Sequence, residues 1–109
     1  MAKGYIIGLI KFTDKEKFIG TFAKQIGPFL DSNGGKILTR TSVTHGHEGN
    51  SHDLNVIVEF ENYEHAKAMM GTSEWNELQK HRRLHSDREA GTFMLLEEGD
   101  AVGAALGSQ

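Results

Sequence analysis

Cysteine is absent from this chain of 109 residues, which excludes disulfides, thiolate metal sites and thiol nucleophiles. It has a single proline, and no apolar run approaches the roughly 18 residues that a membrane-crossing helix needs. No cationic stretch followed by an apolar core opens the sequence in the manner of a secretion signal. These absences lead to the expectation of a cytoplasmic protein with no membrane partner. Surplus positive charge is also missing: 12 lysines and arginines against 15 acidic residues give a net charge of −3. Binding along a phosphate backbone needs a basic excess, so nucleic acid is not an expected partner. Phosphate-binding glycine loops, a Rossmann fingerprint and a nucleophile elbow are absent too, because Gly46 and Gly49 do not lie between a strand and a helix. What is present is 38% hydrophobic and 25% charged, the balance of one globular domain.

Residues 5–12, YIIGLIKF, alternate with Tyr5, Ile7 and Leu9 on one face and Ile6, Ile10 and Phe12 on the other. Both faces are apolar, so this first strand should be covered on both sides. Thr13-Asp14-Lys15-Glu16 has capping-box spacing, with the Thr13 hydroxyl as cap and Glu16 reaching back. The helix that follows carries Phe18, Phe22, Ile26, Phe29 and Leu30 near the 3.6-residue period, and Pro28 stands where it would kink the last turn. Asn33-Gly34-Gly35 tolerates positive φ and turns the chain into a second strand over residues 36–43. Residues 44–53, THGHEGNSHD, read as an exposed loop. A third strand over residues 55–60 puts Val56, Val58 and Phe60 on one face, with Ile57 and Glu59 on the other. Asn62 caps a short helix that Gly71 breaks, and Ser73 caps a further one bearing Trp75, Leu78 and Arg82. Residues 92–97 form the fourth strand. The domain therefore spans residues 1–99, and residues 100–109 read as a small-residue tail that gains order only by docking.

The element order is that of a ferredoxin-like βαββαβ fold of the α+β class. Right-handed crossovers place both helical segments on one face of a four-stranded antiparallel sheet. The first and fourth strands nevertheless carry apolar side chains on both faces, and leaving each in water forgoes roughly 1.5–3 kcal/mol. With no second domain to cover the open face, the simplest cover is another copy of the chain, so a homodimer is expected.

The opening GYIIGLIKFTDKEKF, the turn and strand Gly34-Gly35-Lys36-Ile37-Leu38-Thr39-Arg40, the strand end Val58-Glu59-Phe60, and Ser73-Glu74-Trp75 leading to Arg82-Arg83 together resemble the family known as domain of unknown function 1330. The resemblance implies a dimeric α/β barrel, in a superfamily that includes cofactor-independent monooxygenases, haem-degrading enzymes, isomerases and cyclases. It also matches Arg40 to the family's arginine after the double glycine. One fold hosts many chemistries, so the resemblance bears on architecture more than on reaction.

Several residues could carry chemistry. Arg40, read with the side-chain parity of Leu38 and Ser42, could hold a carboxylate or enolate through two parallel hydrogen bonds, or could be a surface arginine without a ligand. Glu59, if it points into the barrel, could pair with Arg40 or act as a base. His81 could move a proton, or with His85 belong to a solvated helix face. Trp75 and Tyr5 could wall a ligand pocket or simply anchor their elements. Met69 and Met70 fit core filling. His45, His47 and His52 have spacing that permits a three-imidazole metal site, although flexible histidine loops are commonly just solvated. The leading expectation is a homodimer that binds a small organic ligand between sheet and helices. Arg40, Tyr5 and Trp75 would bind it; any chemistry would be cofactor-independent, with Glu59 or His81 moving a proton. The alternatives are a non-catalytic ligand-binding or association module and a metal protein built on the histidine loop.

Overall fold

In the computed structural model, whose described residues are 1–107, strands β1 (Gly4–Ile10), β2 (Gly35–Thr41), β3 (Leu54–Phe60) and β4 (Thr92–Glu97) form one antiparallel sheet ordered β2-β3-β1-β4. Alternation along each strand divides the sheet into two unlike faces. On one, Ile6 sits between Val58 and Leu95, and Gly8 between Val56 and Phe93. The helices cover this side, and Ile6, Ile10, Val58 and Phe60 are buried there with Phe18, Phe22, Ile26, Leu30, Ala66, Met69 and Trp75. The ferredoxin-like α+β architecture expected from the pattern is the one observed.

The first crossover is a single irregular helix made of α1 (Lys15–Phe18), a π-helical segment (Ile19–Ala23) and α2 (Lys24–Ser32). Its cap is Asp14, not Thr13: Asp14 Oδ1 accepts from the Lys17 amide at 3.1 Å. The cause is tertiary, because the Thr13 amide donates to the His85 carbonyl at 3.0 Å and keeps the chain extended one residue longer. The buried positions Phe18, Phe22, Ile26 and Leu30 recur every four residues. Four exceeds the 3.6-residue turn, so an ideal helix would rotate these side chains progressively off the sheet; the wider π turn corrects the drift. The irregularity thus lies upstream of Pro28, which sits inside α2.

Gly34 takes φ +79 at the turn into β2. Gly35 lets the Phe60 ring close on the backbone, since a Cβ there would lie 2.8 Å from Phe60 Cε2. After the exposed 42–53 loop and β3, Asn62 caps α3 (Tyr63–Met69) as expected. The next helix, α4 (Ser73–Leu84), is capped by Thr72, whose hydroxyl accepts from the Trp75 amide at 3.2 Å, so Ser73 is the first residue inside the helix and not its cap. The expected irregular tail contains a helix, α5 (Ala101–Gly107), started by Asp100 accepting from the Gly103 amide at 2.6 Å. Ser108 and Gln109, the end of that tail, lie outside the described residues. Among the described residues, no helix is long and apolar enough to cross a membrane.

The second sheet face carries no helix. Tyr5, Ile7 and Leu9 are half-buried along it, while Ile57, Met94 and Leu96 are 37%, 41% and 44% exposed. Its charged residues include Glu59, the cross-strand partner of both Tyr5 and Lys36.

Candidate functional site

Between sheet and helices the packing is incomplete. Ile6, Gly8, Ile10 and Val56 form the floor of a narrow cavity of about 50 Å³ whose walls include Phe22, Ala23, Trp75 and Phe93. Gly8 is part of the floor and offers no side chain between its strand neighbours Val56 and Phe93. Two charged residues, Arg40 and Arg82, join this apolar lining. Arg40, Ala23 and Leu54 also line the wider cleft outside, with Lys15, Lys24, His52 and Asp53, so Arg40 stands at the mouth. Ala23 ends the π-helical segment, a type of irregularity that frequently accompanies functional sites.

Arg40 reaches this position through a β-bulge. Ile37 pairs with Val58 and Thr39 with Ile57, leaving Leu38 as an extra residue in β2. The insertion reverses parity, so Arg40 pairs with Val56 on the helix-covered side. The expected shared parity of Arg40 and Leu38 is thereby corrected, and so is the expected meeting of Arg40 with Glu59, which occupies the opposite face. Glu59 Oε1 instead lies 3.7 Å from Lys3 Nζ, and this carboxylate, followed by Glu61, raises the Lys3 pKa above its ordinary value. Tyr5 lies on the same helix-free face as Glu59.

Trp75 lines the cavity and is 4% exposed, its ring centroid 6.2 Å from that of Phe29 and 5.9 Å from that of Phe93. It is both a core anchor and a wall. His81 is half-buried on α4 and is not part of the cavity lining. The histidine loop does not assemble a metal centre: His45 and His47 are exposed, His52 Nε2 is 2.8 Å from the Ala90 carbonyl, and no group of three imidazoles or carboxylates is gathered among the described residues.

The sequence reading overlooked Gln79 and gave Arg82 no role beyond its place on the helix. Trp75, Gln79 and Arg82 fall four and three residues apart and are all buried along one side of α4. Arg82 Nε donates to Gln79 Oε1, and the guanidinium carbon sits 4.2 Å from the Phe93 ring centroid. Burial, reinforced by Arg83 and Arg88, pushes the Arg82 pKa down to about 10. No carboxylate forms an ion pair with Arg82 among the described residues, and Gln79 Nε2 is buried without a hydrogen-bond partner. The arrangement can hold an apolar body against Trp75 and Val56 and present cationic donors to its polar atoms.

Residues 3–96 match the domain of unknown function DUF1330, and the chain belongs to that family. No curated protein matches the chain. Among solved structures it is similar to a protein of unknown function from Rhodopseudomonas palustris, with 16% identity over 91% of this chain and 84% of the other and a TM-score of 0.70. It is also similar to SnoaB, a cofactor-independent oxygenase from Streptomyces nogalater, with 10% identity over 94% of this chain and 98% of the other and a TM-score of 0.64. A third similar structure is a dimeric protein of unknown function and ferredoxin-like fold from Bacteroides fragilis, with 17% identity over 88% of this chain and 96% of the other and a TM-score of 0.57. At these identities the likeness concerns the fold.

Proposed function

We propose that this protein is a homodimer that holds a compact, largely apolar organic molecule between its sheet and its helices. The observation that carries this reading is the apolar cavity between sheet and helices, with Arg40 and Arg82 at its two borders. Few-residue polar recognition in an otherwise apolar pocket is the usual make-up of a small-molecule site. The similar fold of a cofactor-independent oxygenase supports chemistry of that kind on a carbonyl, enol or aromatic molecule. In this reading the arginines hold oxyanion charge without a bound cofactor. Dimerisation would bury the face of Tyr5, Ile7, Leu9, Ile57, Met94 and Leu96, and self-association is supported by the dimeric neighbour of the same fold.

A second reading, binding without catalysis, is favoured by one specific feature: no histidine, carboxylate or tyrosine lines the cavity. Glu59 and Tyr5 would then belong to the seam between subunits, and His81 to the helix surface. Titrating small aromatic carbonyl and enol compounds against Trp75 fluorescence, with product analysis of each binder, tests both readings. Binding that weakens in Arg40→Ala supports the cavity as the site, and turnover of a binder decides for the enzyme. Failure of every such compound to perturb Trp75, or full binding in Arg40→Ala, would remove the proposed site.

A further inference from the structure

Arg82 and Gln79 form a pair in which each supplies what the other does not exhaust. Arg82 is 9% exposed and Gln79 1% exposed. The guanidinium gives only its Nε to the Gln79 carbonyl oxygen. The orientation of the amide is fixed by this bond, because turning it over would set an NH₂ group against an N–H donor. Gln79 Nε2 is consequently the end without an acceptor. The result, among the described residues, is a buried cation with no carboxylate in ion-pair contact and a buried amide donor with no acceptor. Both deficits have the same sign: donors and positive charge are present in excess, and acceptors and negative charge are wanting.

The surroundings restrict what can supply them. Phe93 covers one side of the guanidinium at 4.2 Å, and Arg82 lies on the border between the apolar cavity and a polar cleft lined by Arg83, Ser86, Asp87 and Arg88. Three arginines against the single Asp87 leave that cleft net cationic, which suits an anionic head group, and Trp75 and Phe93 suit a flat apolar body beside it. A planar monoanion with two oxygens fits the free edge of a guanidinium through parallel hydrogen bonds.

Building on the reading of the cavity as a ligand site, we infer that its ligand carries a carboxylate, which Arg82 binds where the apolar cavity meets the polar cleft while Gln79 orients the guanidinium. The apolar remainder lies over Gly8 toward Arg40. Gln79 is the less conspicuous member, yet its carbonyl sets the direction of the Arg82 fork.

The test uses benzoate and its neutral isostere benzamide as probes, with the single tryptophan, Trp75, reporting occupancy by fluorescence. Benzoate should bind the wild-type protein about tenfold or more tightly than benzamide, as charge-assisted hydrogen bonds are stronger than neutral ones. Gln79→Glu places an internal carboxylate beside Arg82 with almost no change of shape. It should cut benzoate affinity by about tenfold or more, and by more than it cuts that of benzamide. Equal binding of the two probes by the wild-type protein overturns the carboxylate assignment and leaves the cavity reading standing. Undiminished benzoate binding by folded Gln79→Glu overturns it as well. Binding of neither probe at millimolar concentration overturns the cavity reading and this inference with it. The wild-type comparison decides the matter even if the variant does not fold.

Discussion

The two faces of the sheet handle apolar surface in opposite ways. On the helix-covered side, Ile6, Val58 and Phe60 are almost fully buried, yet a narrow apolar cavity remains between sheet and helices with Arg40 and Arg82 in its lining. On the other side, Ile7 and its neighbours Ile57 and Met94 form an apolar strip that no helix covers among the described residues, while the Leu9 end of the same face meets the 44–52 loop across a polar hollow. A closed face with an apolar cavity suits a small molecule, whereas an open apolar face suits a large surface. The strands serve both because their period of two lets each side be specified independently.

The largest effect is expected from charging the open face. Ile57 and Met94 flank Ile7 from the two neighbouring strands, so Ile57→Asp with Met94→Asp would set unpaired like charges at the centre of a sheet-to-sheet contact. Burying them uncompensated should weaken the dimer by about three orders of magnitude in sedimentation equilibrium. The fold should survive, because both positions are solvent-exposed in the single chain. A wild-type protein that sediments as a monomer at micromolar concentration would break the comparison at its root.

Second in size is the polar pair inside the covered face. Replacing Gln79→Leu together with Arg82→Met removes a desolvated charge and an orphaned amide while keeping comparable volume. Chemical denaturation should show a gain of about 1–4 kcal/mol at neutral pH, together with loss of the preference for benzoate. The pH dependence has a definite sign. Arg82 has a pKa of about 10 in the folded chain, below the ordinary arginine value. Between these values the unfolded chain holds the proton more firmly, so this group's contribution to stability rises with pH. The advantage of the double variant should therefore narrow above pH 10, and an advantage that widens would contradict the assigned burial.

Much of the fold was legible because it rests on local rules. The alternation of residues 5–12, the Asn62 cap and the Asn33-Gly34-Gly35 turn each point to one conformation, and they agree with one another. The bulge at Leu38 was not legible. Nothing in Lys36-Ile37-Leu38-Thr39-Arg40 marks an extra residue; only pairing with β3 reveals it, and that single insertion moves Arg40 across the sheet. The candidate site suffered accordingly, with Arg40 and Trp75 brought to the cavity and Glu59 and Tyr5 to the opposite face. Gln79 and Arg82 were hidden for a different reason. Polar residues on a helix are ordinarily solvated, and their burial follows from Phe93 packing over α4, a contact from a remote strand. The available signal was their spacing from Trp75.

A smaller effect should come from Gly8. A Cβ there would meet Phe93 Cδ2 at 3.6 Å and Val56 Cβ at 3.8 Å, ordinary contacts that demand no movement. Gly8→Ala should consequently stabilise the protein by about 0.5–1 kcal/mol, because glycine loses more freedom on folding than alanine. The same methyl shortens the cavity floor, so affinity for a ligand lying over Gly8 should fall several-fold, on the order of the value of one buried methylene. Stability rising while binding falls would place the ligand at this gap; unchanged binding would put it elsewhere.

The smallest effect is expected at Glu59→Gln, and its smallness is informative. Glu59 lies on the open face beside Tyr5, and its carboxylate meets the exposed ammonium of Lys3 at 3.7 Å. The attraction raises the Lys3 pKa, so its contribution is complete below the ordinary lysine value of 10.5 and is lost as pH climbs through the raised one. Salt screens such an exposed pair, and near neutrality its removal should hardly alter the denaturation midpoint. Because the sheet separates Glu59 from the cavity, benzoate affinity should stay within about twofold of wild type. A large loss of affinity would mean that ligand reaches the space between two sheets, and the division of labour between the faces would then have to be redrawn with Glu59 in the site.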